Sequence, residues 1–246
     1  MDIIVMLVSG IVIFLASFFA TVTGFGFALV ATPLLSIVMD TKEAIIFVLV
    51  ITVLLRILTM YRVWGQFDWN TVLMTTLGSV FGMIPGSWAL RLMPVARLEI
   101  FLGCVLIAAT YLMSRQYYVK ISSKTAGRFG AGFLSGFFGA ATSVSGPPLV
   151  LYFLNEKTEK NLMRANMIWM FGLSGFLMVI ASYCAGNVSS VSDWSLMMAM
   201  VPGVLCGILA GEKLFYRLNQ HLFRRIALII VCGGAIMMLV NGFLNL

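Results

Sequence analysis

Hydrophobic residues fill this chain in long runs, divided by short polar or charged stretches. A helix of about 20 apolar residues matches the hydrocarbon core of a bilayer. The pattern therefore predicts membrane-crossing helices over roughly residues 44–63, 71–90, 98–114 and 165–186, another around Gly203, Gly207 and Gly211, and a last one running to about residue 244. Two runs do not read as one straight helix. Residues 3–39 would form a helix of about 55 Å, too long for a core of about 30 Å, and they are interrupted by Thr21-Val22-Thr23-Gly24-Phe25-Gly26, with Pro33 downstream. Residues 129–154 are interrupted by Gly139-Ala140-Ala141-Thr142-Ser143-Val144-Ser145-Gly146-Pro147-Pro148. In hydrocarbon each freed backbone N–H and C=O needs a partner, so a break is tolerated only inside protein or beside a wet cavity. Two such breaks, one in each half, point to a transporter binding site.

The halves repeat. Offset by 115, Phe14 meets Phe129, Ala16 meets Ala131, Phe18 meets Phe133, Gly24 meets Gly139, Pro33 meets Pro148, Leu34 meets Leu149 and Lys42 meets Lys157. Offset by 125, Gly78, Gly82 and Gly86 meet Gly203, Gly207 and Gly211. Such four-residue stripes of glycine let a neighbouring helix come close. The expected organisation is a first repeat over 1–114, a basic connecting loop over 115–128 and a second repeat over 129–246. The expected fold is all-α: a polytopic membrane protein of two inverted repeats, each a broken or re-entrant helical segment plus three transmembrane helices.

The inversion follows from where Lys and Arg fall. If each broken segment is a hairpin, one face collects Arg62, Arg115, Lys120, Lys124, Arg128, Lys157, Lys160, Arg164, Lys213, Arg217, Arg224 and Arg225, and the other keeps Lys42, Arg91 and Arg97. If each is a full crossing, eight spans result, the halves are parallel and the 115–128 loop lies outside. The excess of positive charge on cytoplasmic loops favours the first arrangement, with both termini outside.

Composition agrees with the pattern. Of 246 residues 61% are hydrophobic and 10% charged, against about 25% charged in soluble domains. The net charge of +7 is carried by loops between spans, which reads as a topology signal and not as a nucleic-acid surface. Cys104, Cys184, Cys206 and Cys232 form no CxxC motif and read as packing residues, with no disulfide or metal expected. Met1-Asp2 opens the chain without a basic n-region, so no cleaved signal peptide is expected.

The chemistry of the breaks suits an anion. Thr142, Ser143 and Ser145 supply hydroxyls and Gly146 a close backbone approach; Thr21, Thr23, Gly24 and Gly26 do the same in the first half. Helix starts at such breaks aim N–H groups at a ligand. Small residues that merely ease helix packing are the plainer reading of the same stretches. Arg56 lies inside a span, either as a counter-charge for substrate or as a cation reaching back to the interface. Asn166 either donates to substrate or bonds a neighbouring helix. The nine acidic residues all fall at segment ends or in loops, so no buried carboxylate relay is expected. An inside-negative potential drives an anion outward by about 2.3 kcal/mol per charge per 100 mV, which favours efflux; a coupling proton or sodium ion stays open. The sole histidine, His221, lies in a basic turn with no catalytic cluster near it in sequence, so neither enzyme chemistry nor a cofactor is expected. A purely structural role would not require paired breaks.

Several stretches also resemble one family. Thr23-Gly24-Phe25-Gly26-Phe27-Ala28 with Pro33-Leu34-Leu35, Gly136-Phe137-Phe138-Gly139 leading into Ser145-Gly146-Pro147-Pro148, and the twin glycine stripes ahead of Arg/Leu turns are similar to the sulfite exporter TauE/SafE family of membrane permeases, over essentially the whole chain. The resemblance implies a multi-pass protein of the bacterial inner membrane. It implies alternating-access transport, through a site between the repeats, of a small anion: sulfite, an organosulfonate, or another sulfur-containing or carboxylate anion. An anion channel and a structural or assembly protein are the alternatives. The partners so implied are the anion and membrane lipid, with a homodimer compatible and no nucleic acid.

Overall fold

The computed structural model describes residues 3–35, 41–92, 95–114, 123–142, 145–184 and 194–244. Regular structure among them is helical throughout: α1 (Ile3–Thr23), α2 (Phe27–Leu35), α3 (Thr41–Met60) followed by a 3-10 turn (Tyr61–Val63), α4 (Trp69–Leu92), α5 (Val95–Ser114), α6 (Lys124–Thr142), α7 (Gly146–Asn155), α8 (Lys160–Cys184), α9 (Trp194–Arg217) and α10 (Gln220–Leu244). Among the described residues Trp69–Ala89, Met198–Arg217 and Gln220–Leu244 are long and apolar enough to cross a membrane. The protein is an all-α polytopic membrane protein.

Both breaks fall where the interrupted runs place them, between α1 and α2 and between α6 and α7. The helices extend further than hydropathy suggests. Lys213 and Arg217 are helical in α9, and His221, Arg224 and Arg225 in α10. Connections expected as charged loops are thus largely helix ends, because a helix can continue past the hydrocarbon as long as its backbone bonds are made.

Helix boundaries also correct the repeat offset. The starts of α2 and α7 (Phe27, Gly146) are separated by 119 positions, as are Gly10, Phe14 and Phe18 of α1 from Phe129, Phe133 and Phe137 of α6, the residues whose carbonyls face the two glycine stripes. The pairs α4/α9 and α5/α10 are separated by 125, as the glycine stripes indicate. The 115 alignment slips by four residues. One helical turn is 3.6 residues, so a slip of four keeps the same face and still pairs Phe with Phe.

The chain forms two compact units. The first comprises Met1–Gln66 and Met167–Leu218, the second Phe67–Asn166 and Asn219–Leu246. In the first unit α1 lies along α9 and contacts α2, which in turn contacts α3. Ile13, Ala16, Ala20, Phe27, Leu35, Ile51, Leu55, Val204 and Ile208 form its core. A side chain on Gly203, Gly207 or Gly211 of α9 would put its Cβ 2.8, 2.6 or 2.8 Å from the carbonyl oxygens of Gly10, Phe14 and Phe18 on α1. In the second unit α4 lies along α6, and α5 along α10. A Cβ on Gly78, Gly82 or Gly86 would overlap the carbonyl oxygens of Phe129, Phe133 and Phe137 on α6, and Gly132 and Gly136 of α6 meet the backbone of Thr75 and Ser79 in return. With the 119 and 125 offsets the two contacts are register-equivalent, and in each the stripe of one repeat holds the broken helix of the other.

Direction can be read from the same contacts. Residue numbers rise together across α4 and α6 and across α1 and α9, so both pairs are parallel. Gly103 meets Ala235 and Leu239 while Gly242 meets Ala96 and Ile100, so α5 and α10 are antiparallel. Val53 meets Gly175 and Met60 meets Gly172, while Trp64 meets Trp169 at 5.2 Å, so α3 and α8 are antiparallel too.

The outer face of α4 shows what surrounds the protein. Thr71, Thr75 and Ser79 are buried, whereas Leu73, Leu77, Phe81, Ile84 and Trp88 are exposed. A row of large exposed apolar side chains backed by small buried ones suits lipid on one side and close helix packing on the other.

Gly82→Ala forces a methyl group against the Phe133 carbonyl and is expected to destabilise the purified protein by about 1–3 kcal/mol. Gly130→Ala, on α6 with nothing within 4 Å of the new Cβ, is expected to leave thermal stability unchanged or slightly raised. Equal melting temperatures for the two variants would contradict this packing.

Candidate functional site

The first break is built by two glycines and a threonine. Gly24 still donates its N–H to the Ala20 carbonyl at 2.8 Å, but its φ of +81° ends α1, and Gly26 follows at +90°. Both angles lie where a side chain is disfavoured. The Thr23 hydroxyl lies 2.8 Å from the Phe19 carbonyl and 2.9 Å from the Phe25 carbonyl, and accepts the Phe25 N–H at 3.4 Å. Thr23 therefore satisfies the backbone of the turn itself. Thr21 is fully buried, and its Cβ stands 2.9 Å from where a Cβ on Gly211 would sit, so it packs toward α9. α2 then begins, with Val30 donating to the Gly26 carbonyl at 3.2 Å. Phe27, Ala28 and Leu29 carry first-turn N–H groups, which have no carbonyl one turn earlier within their own helix.

The second break doubles back on itself. Ser135 on α6 donates its hydroxyl to the Ser145 carbonyl at 2.7 Å, and a Cβ on Gly139 would lie 2.9 Å from that of Ser145. Residue 145 is thus beside the middle of the last turns of α6, not beyond its end. Ser145 stands at the N-cap position of α7 without a side-chain capping bond, and Pro147 occupies the first turn beside the buried Gly146. Proline has no N–H and its fixed φ suits a helix start. Pro147 and Pro148 therefore leave Gly146 and Leu149 as the N–H carriers of that turn, and α2 is the richer backbone donor of the two. Thr142 is the last residue of α6, its side chain lies outside the described residues, and Ser143 lies outside them altogether.

Arg56 is buried in α3 at 3% exposure, with its guanidinium over the Phe171 ring at 5.5 Å from the centroid. At the 119 offset its counterpart is Gly175, so this cation is not duplicated. α8 begins at Lys160, five residues earlier than hydropathy predicts, and takes in Arg164 and Asn166, both 2% exposed. Arg164 is a second buried cation that a charge-based reading assigns to a loop. Glu212 is likewise inside α9 and buried, paired with Arg62.

Asn166 accepts the Asp68 N–H on its Oδ1 at 2.8 Å. Asp68 caps α4: its Oδ1 accepts the Asn70 N–H and its Oδ2 the Thr71 N–H, each at 3.2 Å, and Oδ2 also accepts the Thr71 hydroxyl. Arg128 of α6 approaches Oδ2 at 3.3 Å. Asp68 thereby ties the starts of α4, α6 and α8. The signal in the sequence was a helix-capping Asp three residues ahead of Thr71; its partners 60 and 98 positions away carry no local signal.

The structure thus groups Thr21, Thr23, Gly24 and Gly26 at one break and Ser145 and Gly146 at the other, sets Arg56 on Phe171, and sets Asn166 on Asp68. The profile of the family described as sulfite exporter TauE/SafE matches residues 9–238. The chain belongs to the sulfite exporter TauE/SafE family. No curated protein and no solved structure matches it. As a TauE/SafE family member the protein is an integral membrane transporter, and both breaks, the two glycine stripes and the buried arginines lie within the matched region.

The Thr71 hydroxyl above all holds the Asp68 carboxyl below its usual pKa; burial acts the other way, and the Thr71 and Asn70 N–H groups and Arg128 add to the lowering. A carboxylate lowered on folding stabilises above its unfolded pKa of about 3.9, and that stabilisation is lost as pH falls through the folded value. Asp68→Asn is expected to cost up to about 1 kcal/mol at pH 7 for this partly exposed group, or roughly 2–4 °C in melting temperature. The gap between variant and wild type closes on acidification below about pH 4; a gap that stays constant down to pH 3 would contradict the assignment.

Proposed function

We propose that the protein is a secondary transporter that carries a small oxyanion across the cytoplasmic membrane by alternating access. The substrate class is sulfite, an organosulfonate, or a related sulfur-containing or carboxylate anion. The observation that carries this reading is the broken helix at Thr23–Gly26. Its glycines turn the chain, Thr23 satisfies the turn, and the first-turn N–H groups of α2 face outward from the helix start with the positive end of its dipole. Arg56, buried in the same unit, adds a full positive charge, and a guanidinium fits an oxyanion with two parallel N–H bonds. In the second unit the hydroxyl of Ser145 and the backbone of Gly146 are the equivalent groups at its own break.

The proposal includes inverted repeats. The antiparallel course of α3 against α8 and of α5 against α10, which are equivalent helices of the two repeats, supports opposite orientations of the halves. Net outward movement of an anion down an inside-negative potential needs no coupled ion.

Reconstituted into liposomes, the wild-type protein is expected to move labelled sulfite, and unlabelled methanesulfonate or acetate to compete if they share the site. Ser145→Leu is expected to lower sulfite flux at least tenfold while the protein still purifies as a folded species. Folded wild-type protein that moves none of these anions would defeat the proposal, and unchanged flux in Ser145→Leu would remove the second break from the site.

A further inference from the structure

Phe171 is on α8, 7% exposed, and its ring lies under the Arg56 guanidinium. The seam between α3 and α8 explains how the ring comes so close. One turn along α3 from Arg56, Met60 lies against Gly172, where a Cβ would stand 2.5 Å from the Met60 Sδ. The missing side chain at Gly172 leaves room for the Met60 side chain at the residue next to Phe171. Trp64 on Trp169 closes the seam at one end, and Val53 against Gly175 at the other. Arg56 thus lies on α3 between Val53 and Met60, which meet Gly175 and Gly172 of α8, and Leu55 and Thr59 on the same helix are buried.

A guanidinium uses its flat face for an aromatic ring and its edge for hydrogen bonds. The two do not compete, since the N–H bonds lie in the plane and the ring attracts along the normal. A guanidinium held by its face would be fixed in plane, and an oxyanion arriving at its edge would meet donors already aligned, with less rotational freedom left to lose. We propose that Phe171 is a positioning residue for substrate: it holds the Arg56 guanidinium by its face so that the N–H edge is presented to the oxyanion. This rests on the reading of Arg56 as a substrate contact.

The test is sulfite flux through the full-length protein in liposomes, measured against sulfite concentration for Arg56→Ala, Phe171→Leu, Phe171→Met and Phe171→Trp. Phe171→Leu is expected to raise the half-saturating sulfite concentration roughly tenfold, the scale of a desolvated cation–ring contact, with the maximal rate within about twofold of wild type. Phe171→Trp, which restores a ring, returns the half-saturating concentration toward wild type. Should Phe171→Leu not be recovered folded, Phe171→Met makes the same comparison with the bulk kept and the ring removed. A Phe171 variant that loses maximal rate at an unchanged half-saturating concentration, or a Trp variant no better than Leu, would mean that the ring only fastens α3 to α8, and the proposal falls. If Arg56→Ala loses saturable flux while Phe171→Leu behaves as wild type, the positioning role alone fails. If Arg56→Ala keeps the wild-type half-saturating concentration, the anion-contact reading of Arg56 fails and takes this proposal with it.

Discussion

Helices in hydrocarbon gain little from exchanging lipid for one another's apolar side chains, so they hold together by close contact of backbones and small residues. Here that contact is made twice, by Gly78, Gly82 and Gly86 against the carbonyls of Phe129, Phe133 and Phe137, and by Gly203, Gly207 and Gly211 against those of Gly10, Phe14 and Phe18. The six glycines share one requirement, the absence of a Cβ. The consequence reaches beyond packing. Each stripe belongs to one sequence repeat and each broken helix to the other, so neither repeat completes its own contact. The helix that ends in a break is held along its length by its partner, and the break itself can be irregular because the segment leading into it is not.

The breaks differ in how they meet the demand for backbone satisfaction in a membrane. At the first, two positive-φ glycines make the turn and the Thr23 hydroxyl bonds it. At the second, Ser135 reaches across to the Ser145 carbonyl and two prolines remove donors that would otherwise need partners. The first turn of α2 thus carries more N–H groups than that of α7. The buried charge is also unequal: Arg56 stands in α3 where α8 has Gly175. The two halves share a frame and differ in the groups placed at the breaks and in α3 and α8.

Much of this could be read from the sequence, for local reasons. Glycines, hydroxyl residues and prolines inside apolar runs announce both breaks, and glycines four apart announce the close pairs. What could not be read has physical causes of two kinds. Helical periodicity makes a shift of four residues nearly invisible to a pattern of apolar letters, which is why the 115 alignment looks convincing while Phe27/Gly146 and the stripe contacts Phe14/Phe133 and Phe18/Phe137 fix the offset at 119. Contacts between distant positions leave no local trace: Arg128 and Asn166 on Asp68, Arg62 on Glu212, Phe171 under Arg56. The early start of α8 belongs to the second kind. Gln220 accepts the Lys160 N–H at 2.7 Å from 60 positions away, and that helix start carries Arg164 and Asn166 into buried positions that charge alone assigns to a loop.

The proposed inversion makes the two repeats equivalent sets of helices of opposite orientation, each holding the broken helix of the other through its glycine stripe. Cysteine accessibility in intact cells tests this most directly. In a background without the four native cysteines, Ile121→Cys between the repeats is expected to react with a membrane-impermeant thiol reagent only from the cytoplasmic side, and Lys42→Cys only from the outer side. Labelling of Ile121→Cys from the outer side alone would make the repeats parallel and contradict the account.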